Sequence, residues 1–321
     1  MILNYIIISF LLLTLTYAYY IYAIKTKILD TPSARSSHSI PTVRGGGIVF
    51  FMAVLLYFIR QFNIDYPFFL SGFIILSIIG FIDDKKNLSP KTRFPFQLIA
   101  IALILYEAGL FSHTIPLVLQ LIGFIVAVGF INAFNFMDGI NGITGFYTLA
   151  IILPLLSLNY NNHIFNNDFY YYTIIAVIIF GFYNFRTKAL MFAGDIGSMS
   201  LAALILFWLS KTIIQLNSPV LLAFVVIYGV DSALTIITRL KKKEKIFEAH
   251  RRHLYQKFVD IWRWPHIKIA FLYTIIQLII SFFALNLIHI KICYQTLVVG
   301  GIYLLFSIIY FLFQNYFNKI S

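Results

Sequence analysis

The sequence predicts an all-α, polytopic membrane protein with about eleven transmembrane helices, and three observations support that prediction. The chain of 321 residues is 60% hydrophobic and 11% charged, with a mean hydropathy of +0.87. Apolar runs of about 20 residues, the length that spans a bilayer, recur along the whole chain. The short segments of alternating polarity that are typical of a membrane β-barrel are not seen. A soluble domain of this size does not need so much apolar surface.

The predicted spans follow one another closely, so we predict a single integral-membrane domain over residues 1–321. The spans are 3–24, 45–60, 67–82, 95–112, 115–134, 143–158, 170–186, 196–212, 218–238, 266–287 and 294–313. The first run has no basic residue before it, and Lys25 and Lys27 follow it, which indicates a membrane helix rather than a cleaved signal peptide. The single Cys293 excludes an intramolecular disulfide.

The basic residues predict the orientation of the chain. Of the 24 lysines and arginines, 21 lie in loops on one side of the predicted spans. By the positive-inside rule this side is cytoplasmic, which places the N-terminus outside and the C-terminus inside. The net charge of +12 is then a surface that faces anionic lipid, and no nucleic-acid partner is needed to explain it. The active site is expected to be built from five loops on this side, residues 25–44, 83–95, 132–145, 186–198 and 239–265.

A polar segment at residues 132–145 separates two long apolar runs. Asn135, Asp138 and Asn141 are spaced by three, so a helical turn would put them on one face. Three glycines repeat the same spacing, at positions 139, 142 and 145. Their missing side chains leave a gap where a ligand or another backbone can approach. Polar groups at the mouth of a membrane helix indicate a functional site, whereas a glycine-rich helix crossing with capping Asn and Asp is the alternative.

Carboxylates also stand at two other predicted helix ends on this side. Asp83 and Asp84 are adjacent and are followed by four basic residues, including Lys91 and Arg93. Paired acids beside cations suit a metal-phosphate site, because acids hold or orient Mg²⁺ while cations neutralise phosphate oxygens. The positive-inside rule alone explains the lysines but not the paired acids. Asp195 lies between two glycines at a helix start, where it is either an N-cap or a metal ligand.

Two basic loops are candidate anion sites. In the loop before the second span, His38 and Arg44 precede three glycines at 45–47, whose backbone N–H groups are expected to be exposed to a phosphate. In the longest polar stretch, His250 and His253 lie three residues apart around two arginines, at 251 and 252. Two histidines at that spacing suit zinc, but no third ligand is adjacent and the arginines favour a pyrophosphate.

One acid, Asp231, lies inside the ninth predicted span. It either pairs with a basic residue of a neighbouring helix or serves as a proton site, and structural pairing is the default expectation.

The motifs taken together resemble the polyprenyl-phosphate N-acetylhexosamine-1-phosphate transferases, the superfamily of MraY and WecA (glycosyltransferase family 4). The matching motifs are Asp-Asp at 83–84, Asn-x-x-Asp-Gly-Ile-x-Gly at 135–142, Gly-Asp-x-Gly-Ser at 194–198 and the His-rich basic segment at 250–253. They occur in the family's order. The segments 34–47 and 250–256 look like the branch that serves O-antigen or capsule synthesis.

The resemblance implies that the phosphate of undecaprenyl phosphate attacks the β-phosphate of a UDP-N-acetylhexosamine and releases UMP. It further implies a requirement for Mg²⁺, or Mn²⁺ in its place, and a site on the cytoplasmic face of a bacterial inner membrane. Asn135 and Asp195 match positions that ligate Mg²⁺, and Asn141 matches a position that contacts uracil in the eukaryotic dolichol-pathway relative. The remaining residues are expected to be catalytic, namely Asp83, Asp84, Asp138, Lys91 and Arg93, or to bind substrate, namely His38, Arg44, His250, Arg251, Arg252 and His253.

The aspartate pair is often proposed in this family as the base that deprotonates the lipid phosphate. A phosphate monoester with a second pKa of about 6 is already mostly ionised at neutral pH. We therefore predict that Asp83 and Asp84 mainly orient Mg²⁺, Lys91 and Arg93.

Two other functions compete with the transferase. A transporter or flippase built around Asp231 would carry polar residues along the middle of its helices, whereas the polar clusters here stand at the predicted cytoplasmic ends. A membrane zinc hydrolase would use His250 and His253. The sequence leaves open which UDP-sugar is used and whether the protein forms a homodimer.

Overall fold

A computed structural model describes residues 2–32, 40–62, 65–244 and 251–320. Within these ranges the chain is almost wholly helical, which confirms the predicted all-α class. The α-helices are α1 (Ile2–Lys25), α2 (Ile48–Gln61), α3 (Pro67–Lys86), α4 (Pro90–Ala108), α5 (Leu117–Met137), α6 (Ile143–Asn162), α7 (Asn167–Asn184), α8 (Gly194–Leu216), α9 (Val226–Lys241), α10 (Leu254–Asp260), α11 (His266–Leu285) and α12 (Ile292–Ile320). A 3₁₀ helix, Pro219–Val225, precedes α9, and β1 (Leu29–Asp30) pairs antiparallel with β2 (Thr42–Val43).

Each of the eleven predicted spans coincides with a helical segment of the described chain. Eight of these segments are long and apolar enough to cross a membrane, with the 3₁₀ helix and α9 counted together. The other three predicted spans correspond to α2, α4 and α7. Helix α2 has only 14 residues, fewer than the roughly 20 that span a bilayer. The structure therefore supports a polytopic membrane protein without fixing the number of crossings.

Helix α8 lies at the centre of the bundle and positions the polar site. Its residues from Ile196 to Leu209 are all buried, and it packs against α3, α4 and α5. Glycines allow neighbouring backbones to approach its first turn. A Cβ built on Gly47 would lie 2.2 Å from Cα of Gly197, and one built on Gly80 would lie 2.7 Å from the carbonyl oxygen of Asp195. The close approach brings the loop before α2 and the end of α3 to the start of α8.

The helix that carries Asp231 is broken at its start. The 3₁₀ helix passes into α9 at Val226, where backbone groups leave the helical hydrogen-bond pattern. Gln277 of α11 accepts a hydrogen bond from the backbone N–H of Ile227 at 3.3 Å and donates one to the carbonyl of Ala223 at 3.0 Å. Backbone groups in hydrocarbon need such partners, so the glutamine stabilises the break.

Candidate active site

Five charged side chains from four segments meet at one end of the bundle, and we call them the carboxylate–arginine cluster: Asp83, Asp84, Asp195, Arg44 and Arg93. Nη1 of Arg93 lies 2.5 Å from Oδ2 of Asp83 and 2.7 Å from Oδ2 of Asp195. Nε of Arg44 lies 2.7 Å from Oδ1 of Asp84, and its Nη2 lies 3.6 Å from Oδ1 of Asp195. Two guanidinium groups thus face three carboxylates, which leaves one formal negative charge in the cluster. Burial alone would lower the pKa of Arg44, but the charges of Asp84 and Asp195 raise it above its ordinary value.

Asp84 is the capping carboxylate of α8. Its side chain is fully enclosed, and its two oxygens accept the backbone N–H groups of Asp195 at 2.9 Å and Ile196 at 3.1 Å. A carboxylate at a helix N-terminus satisfies N–H groups that have no intrahelical partner and is favoured by the helix dipole. Asp195 itself lies in the first turn and is not the N-cap, which is Ala193. Its carboxylate therefore remains partly exposed, at 16%.

The three glycines before α2 do not form the expected phosphate-binding loop. The N–H groups of Gly46 and Gly47 donate to the backbone carbonyls of Phe192 and Ala193, at 2.8 and 3.0 Å. The N–H of Phe192 donates to the carbonyl of Val43, so the two segments pair like parallel strands. The prediction that these glycine N–H groups are exposed to a ligand is wrong, because backbone pairing uses them. The pairing instead holds Arg44 beside α8.

Asn135 and Asp195, the two predicted metal ligands, are adjacent. Nδ2 of Asn135 lies 3.1 Å from Oδ1 of Asp195 and 2.9 Å from Oγ of Ser198. A carboxylate and an amide are oxygen donors of the kind that Mg²⁺ takes, and Mg²⁺ usually keeps few protein ligands. The two arginines already placed against Asp195 show that this position favours positive charge. The donor set therefore fits a Mg²⁺ ion, provided that Asn135 presents its amide oxygen.

The segment after Asn135 departs from the predicted helical turn. Helix α5 ends at Met137, and α6 begins only at Ile143, so Asp138 and Asn141 do not share a helix face with Asn135. Gly142, which directly precedes α6, has a φ of +84°, so the chain between α5 and α6 forms a turn and not a continuous helix. Asp138 accepts a hydrogen bond from the hydroxyl of Thr144 at 2.5 Å. Burial raises the pKa of Asp138 to about 6, although this hydrogen bond acts to lower it.

The glycine positions in this segment are filled by side chains of the protein. A Cβ on Gly139 would lie 2.1 Å from the hydroxyl oxygen of Tyr255, and one on Gly145 would lie 2.6 Å from the ring of Phe185. Asn141 is buried, and its Nδ2 donates to the backbone carbonyls at positions 186 and 187, at 2.8 and 3.1 Å. The glycines therefore permit packing between segments. Asn141 joins the loop after α7 to the segment before α6.

The predicted substrate-binding residues of the basic segment have partners close by. Arg251 pairs with Asp260 through two hydrogen bonds, at 2.7 and 3.0 Å, and Arg252 pairs with Glu244 at 2.7 Å. His253 is only 2% exposed. Its buried position gives no support to the predicted substrate contact. His38 and His250 lie outside the described residues.

Lys91 differs from Arg93, with which it was predicted to act. It is exposed, and no hydrogen bond or ion pair joins it to Asp83 or Asp84 within the described part of the chain. The partners of the aspartate pair are Arg93 and Arg44 instead. The expected orientation of Lys91 by the aspartates is therefore not seen.

Sequence reasoning did not assign three polar residues that support the site. Oγ of Ser198 accepts a hydrogen bond from the side-chain amide of Asn135 at 2.9 Å. Oδ1 of Asn184 accepts one from the backbone N–H of Gly142 at 2.7 Å. Oδ1 of Asn87 accepts one from Nη1 of Arg44 at 3.0 Å. Each stands at the end of an apolar run, which is the signal that could have identified it. A metal site of three or more His, Cys, Asp or Glu residues is not found among the described residues.

The chain is similar in sequence to known transferases. Residues 66–214, which run from the start of α3 into the last turn of α8, match the family model described as glycosyl transferase family 4. The chain is 25% identical over 285 residues to a probable undecaprenyl-phosphate N-acetylglucosaminyl 1-phosphate transferase of Bacillus subtilis strain 168, covering 79% of this chain and 75% of the relative. It is 27% identical over 202 residues to a phospho-N-acetylmuramoyl-pentapeptide-transferase of Streptococcus agalactiae, covering 55% of this chain and 58% of the relative.

The family match and the two relatives are all transferases. They support the superfamily that the motifs predict, the polyprenyl-phosphate hexosamine-1-phosphate transferases.

Proposed function

We propose that this protein transfers N-acetylhexosamine-1-phosphate from a UDP-sugar to undecaprenyl phosphate and releases UMP. The observation that supports the proposal most directly is the carboxylate–arginine cluster with Asn135 beside it. Burying charged groups in a membrane bundle costs free energy, so such groups indicate a functional site. The names of the two relatives, which describe transfer of phosphosugars, are consistent with this reaction.

Arg93 is suited to receive a phosphate oxygen. Its Nε is buried and has no hydrogen-bond partner within the described residues, while its Nη1 contacts Asp83 and Asp195. A buried N–H without an acceptor costs free energy, and a phosphate oxygen would remove that cost. Arg44 presents a second guanidinium on the other side of Asp195. Guanidinium groups bind phosphate through paired, charge-assisted hydrogen bonds.

We infer that Asp195 and Asn135 would hold a Mg²⁺ ion in the active enzyme. When bound, Mg²⁺ supplies neutralisation of the charge on the diphosphate and on the departing UMP. Asp84 keeps Asp195 at the start of α8 through the backbone contacts, and Asp83 keeps Arg93 against it. The two members of the aspartate pair thus act on the cluster through different partners.

The transfer exchanges one phosphorus–oxygen bond for another. An oxygen of the lipid phosphate forms a bond to the β-phosphorus of the UDP-sugar, while the bond from that phosphorus to the bridging oxygen breaks. The bridging oxygen leaves with the electron pair as part of UMP, so no proton has to be removed from an ionised lipid phosphate. Arg93 and Arg44 would stabilise the negative charge that develops on the phosphate oxygens during the transfer. Asp138 and Asn141, on the segment that follows Asn135, would lie at the nucleotide side.

The finer assignment is part of the same proposal. We propose that the protein acts in a bacterial inner membrane with its site on the cytoplasmic face, because the basic residues concentrate on that side. The resemblance of segments 34–47 and 250–256 to the O-antigen and capsule branch supports a role as the first step of a surface polysaccharide.

A panel assay tests the proposal. Purified full-length protein is offered undecaprenyl phosphate with UDP-N-acetylglucosamine, UDP-N-acetylfucosamine or UDP-N-acetylquinovosamine, and release of UMP is measured with added Mg²⁺. We expect release with one of these sugars and none in excess chelator. Product formation in excess chelator would overturn the metal requirement, and absence of UMP with every sugar would overturn the reaction.

A further inference from the structure

Asp231 is a buried carboxylate that the proposed chemistry does not use. It is 3% exposed and lies inside α9, next to the broken start of that helix. It accepts backbone N–H groups of Leu254 at 2.9 Å and Tyr255 at 3.4 Å, and the hydroxyl of Tyr273 at 3.0 Å. Nδ1 of His253 lies 3.3 Å away. One carboxylate therefore joins α9, α10 and α11.

The contacts of Asp231 fix where α10 begins. The first N–H groups of a helix have no intrahelical acceptor and are usually capped by a residue close in sequence. A local capping box is also present here, since the side chain of His253 accepts the N–H of Gln256 and Oε1 of Gln256 accepts the N–H of His253 at 3.2 Å. The carboxylate oxygens of Asp231, more than twenty residues earlier in the chain, accept the N–H groups of the first two residues of α10. The position of α10 is thus tied to α9 rather than to its own loop alone.

Tyr255, the second residue of α10, reaches the segment that carries Asp138. It is fully buried, and its hydroxyl donates to the carbonyl of Phe136 at 3.3 Å. That carbonyl belongs to the last turn of α5, where carbonyl groups have no intrahelical donor. The same hydroxyl fills the space beside Gly139, where a Cβ would lie 2.1 Å from it. A continuous series of contacts therefore runs from Asp231 to the residues on both sides of Asp138.

We propose that Asp231 and Tyr255 are positioning residues that hold the segment from Asn135 to Asn141 in place for the transfer. Asp231 sets the start of α10, and Tyr255 transmits that position to the end of α5. The link to activity rests on the proposed function, whereas the mechanical link between α9 and α5 does not.

Two conservative variants test the proposal in the full-length protein. Asp231→Asn keeps the size of the side chain but replaces one acceptor with an amide NH₂ that faces backbone N–H groups. Tyr255→Phe removes only the hydroxyl. We expect amide hydrogen exchange in peptides covering 135–141 to rise about tenfold in both variants, and exchange in 251–256 to rise in Asp231→Asn alone. Asp168→Asn is the matched control, because Asp168 also accepts a tyrosine hydroxyl, that of Tyr5, away from the site.

The same variants are assayed with UDP-N-acetylglucosamine, or with whichever panel sugar releases UMP. We expect kcat/KM to fall about tenfold in each, and the double variant to lose no more than Asp231→Asn, because the two residues act in series. Unchanged exchange in 135–141 for both single variants would overturn the proposal. A rise of equal size in α3 and α8 would also overturn it, because it would indicate general destabilisation. Since exchange needs no substrate, this result stands apart from failure of the wild type to release UMP.

Discussion

The molecule holds carboxylates in two regions, and the groups that stabilise their negative charge differ between the two. In the carboxylate–arginine cluster, Asp83 and Asp195 share the guanidinium of Arg93, and the side chain of Asp195 remains 16% exposed. In the other region, Asp231 is 3% exposed and accepts backbone N–H groups and a tyrosine hydroxyl. Asp83 and Asp195 are balanced by guanidinium groups of arginine side chains. Asp231 is bound mainly by backbone N–H groups and a hydroxyl, and within the cluster the capping carboxylate Asp84 also accepts backbone N–H groups of a helix start.

The difference indicates which carboxylates can exchange partners. A guanidinium can give way to another cation or turn to a phosphate, because its side chain rotates and its charge is not part of the backbone. Backbone N–H groups at the start of α10 cannot leave without unfolding the helix. The carboxylate–arginine cluster is therefore suited to binding a metal ion or a phosphate, and Asp231 is suited to holding helices together. Six variants, together with the Asp231 and Tyr255 variants, can break or sharpen this comparison.

The largest effect is expected for Asp195→Asn. The change removes the charge that both arginines contact but keeps the shape of the side chain. We expect UMP release to fall by about a thousandfold, with thermal unfolding in detergent close to that of the wild type. Activity within tenfold of the wild type would show that the cluster is as structural as Asp231. Asp168→Asn, which changes a carboxylate outside the site, should retain full activity.

The aspartate pair should separate into two phenotypes. Asp83→Asn removes one of the two carboxylates that contact Arg93 and should lower activity about a hundredfold. We expect little loss of stability, because Asp195 still pairs with Arg93. Asp84→Asn breaks a buried pair with Arg44 and weakens the cap of α8, so we expect about 3 kcal/mol lower stability as well as lower activity. Activity of both variants is compared at pH 6 and pH 8.5. Recovery at pH 8.5 would show that the pair acts as a base, contrary to our prediction.

The approach of α2 to α8 should be sensitive to a single methyl group. Gly47→Ala would place a Cβ 2.2 Å from Cα of Gly197, so the backbones must separate and Arg44 must move. We expect a loss of about 1–3 kcal/mol in stability together with a loss of activity. Gly300→Ala is the matched control, since nothing lies within 4 Å of its Cβ position. Equal unfolding midpoints for the two variants would contradict the close approach.

The smallest effect is expected for Lys91→Met. Lys91 is exposed and stays outside the cluster, so its charge acts on a phosphate only through solvent. We expect a loss of about threefold in kcat/KM that disappears as ionic strength rises. Arg93→Met, measured in parallel, should lose about a hundredfold at every salt concentration. Equal losses would show that Lys91 reaches the substrate and that the cluster extends beyond the residues described above.

Much of the fold could be predicted from hydropathy alone. Each predicted span coincides with a described helix, because about 20 apolar residues in a membrane can satisfy their backbone only as a helix. The break before α9 was not predicted. Its backbone groups are satisfied by Gln277, which is distant in sequence, and no local pattern announces that pairing.

The five residues of the carboxylate–arginine cluster were among the predicted site residues, but of their mutual contacts only that of the aspartate pair with Arg93 was predicted. The adjacency of Asn135 and Asp195 follows the prediction, and their roles stay predictions. The helical face expected for Asn135, Asp138 and Asn141 was wrong, because the turn at Gly142 depends on a hydrogen bond to Asn184 of another helix. A spacing of three residues cannot reveal such a partner.

The sequence by itself determined the helical class, the concentration of charge at one side and the set of polar residues at helix ends, because these depend on composition and local spacing. Only the tertiary structure decided which carboxylate meets which cation. Asp84 became the cap of α8 while its neighbour Asp83 took Arg93, since adjacent residues on a helix point in different directions. Asp231 differs from the carboxylates of the cluster because tertiary packing surrounds it with donors from α10 and α11, which lie far from it in sequence.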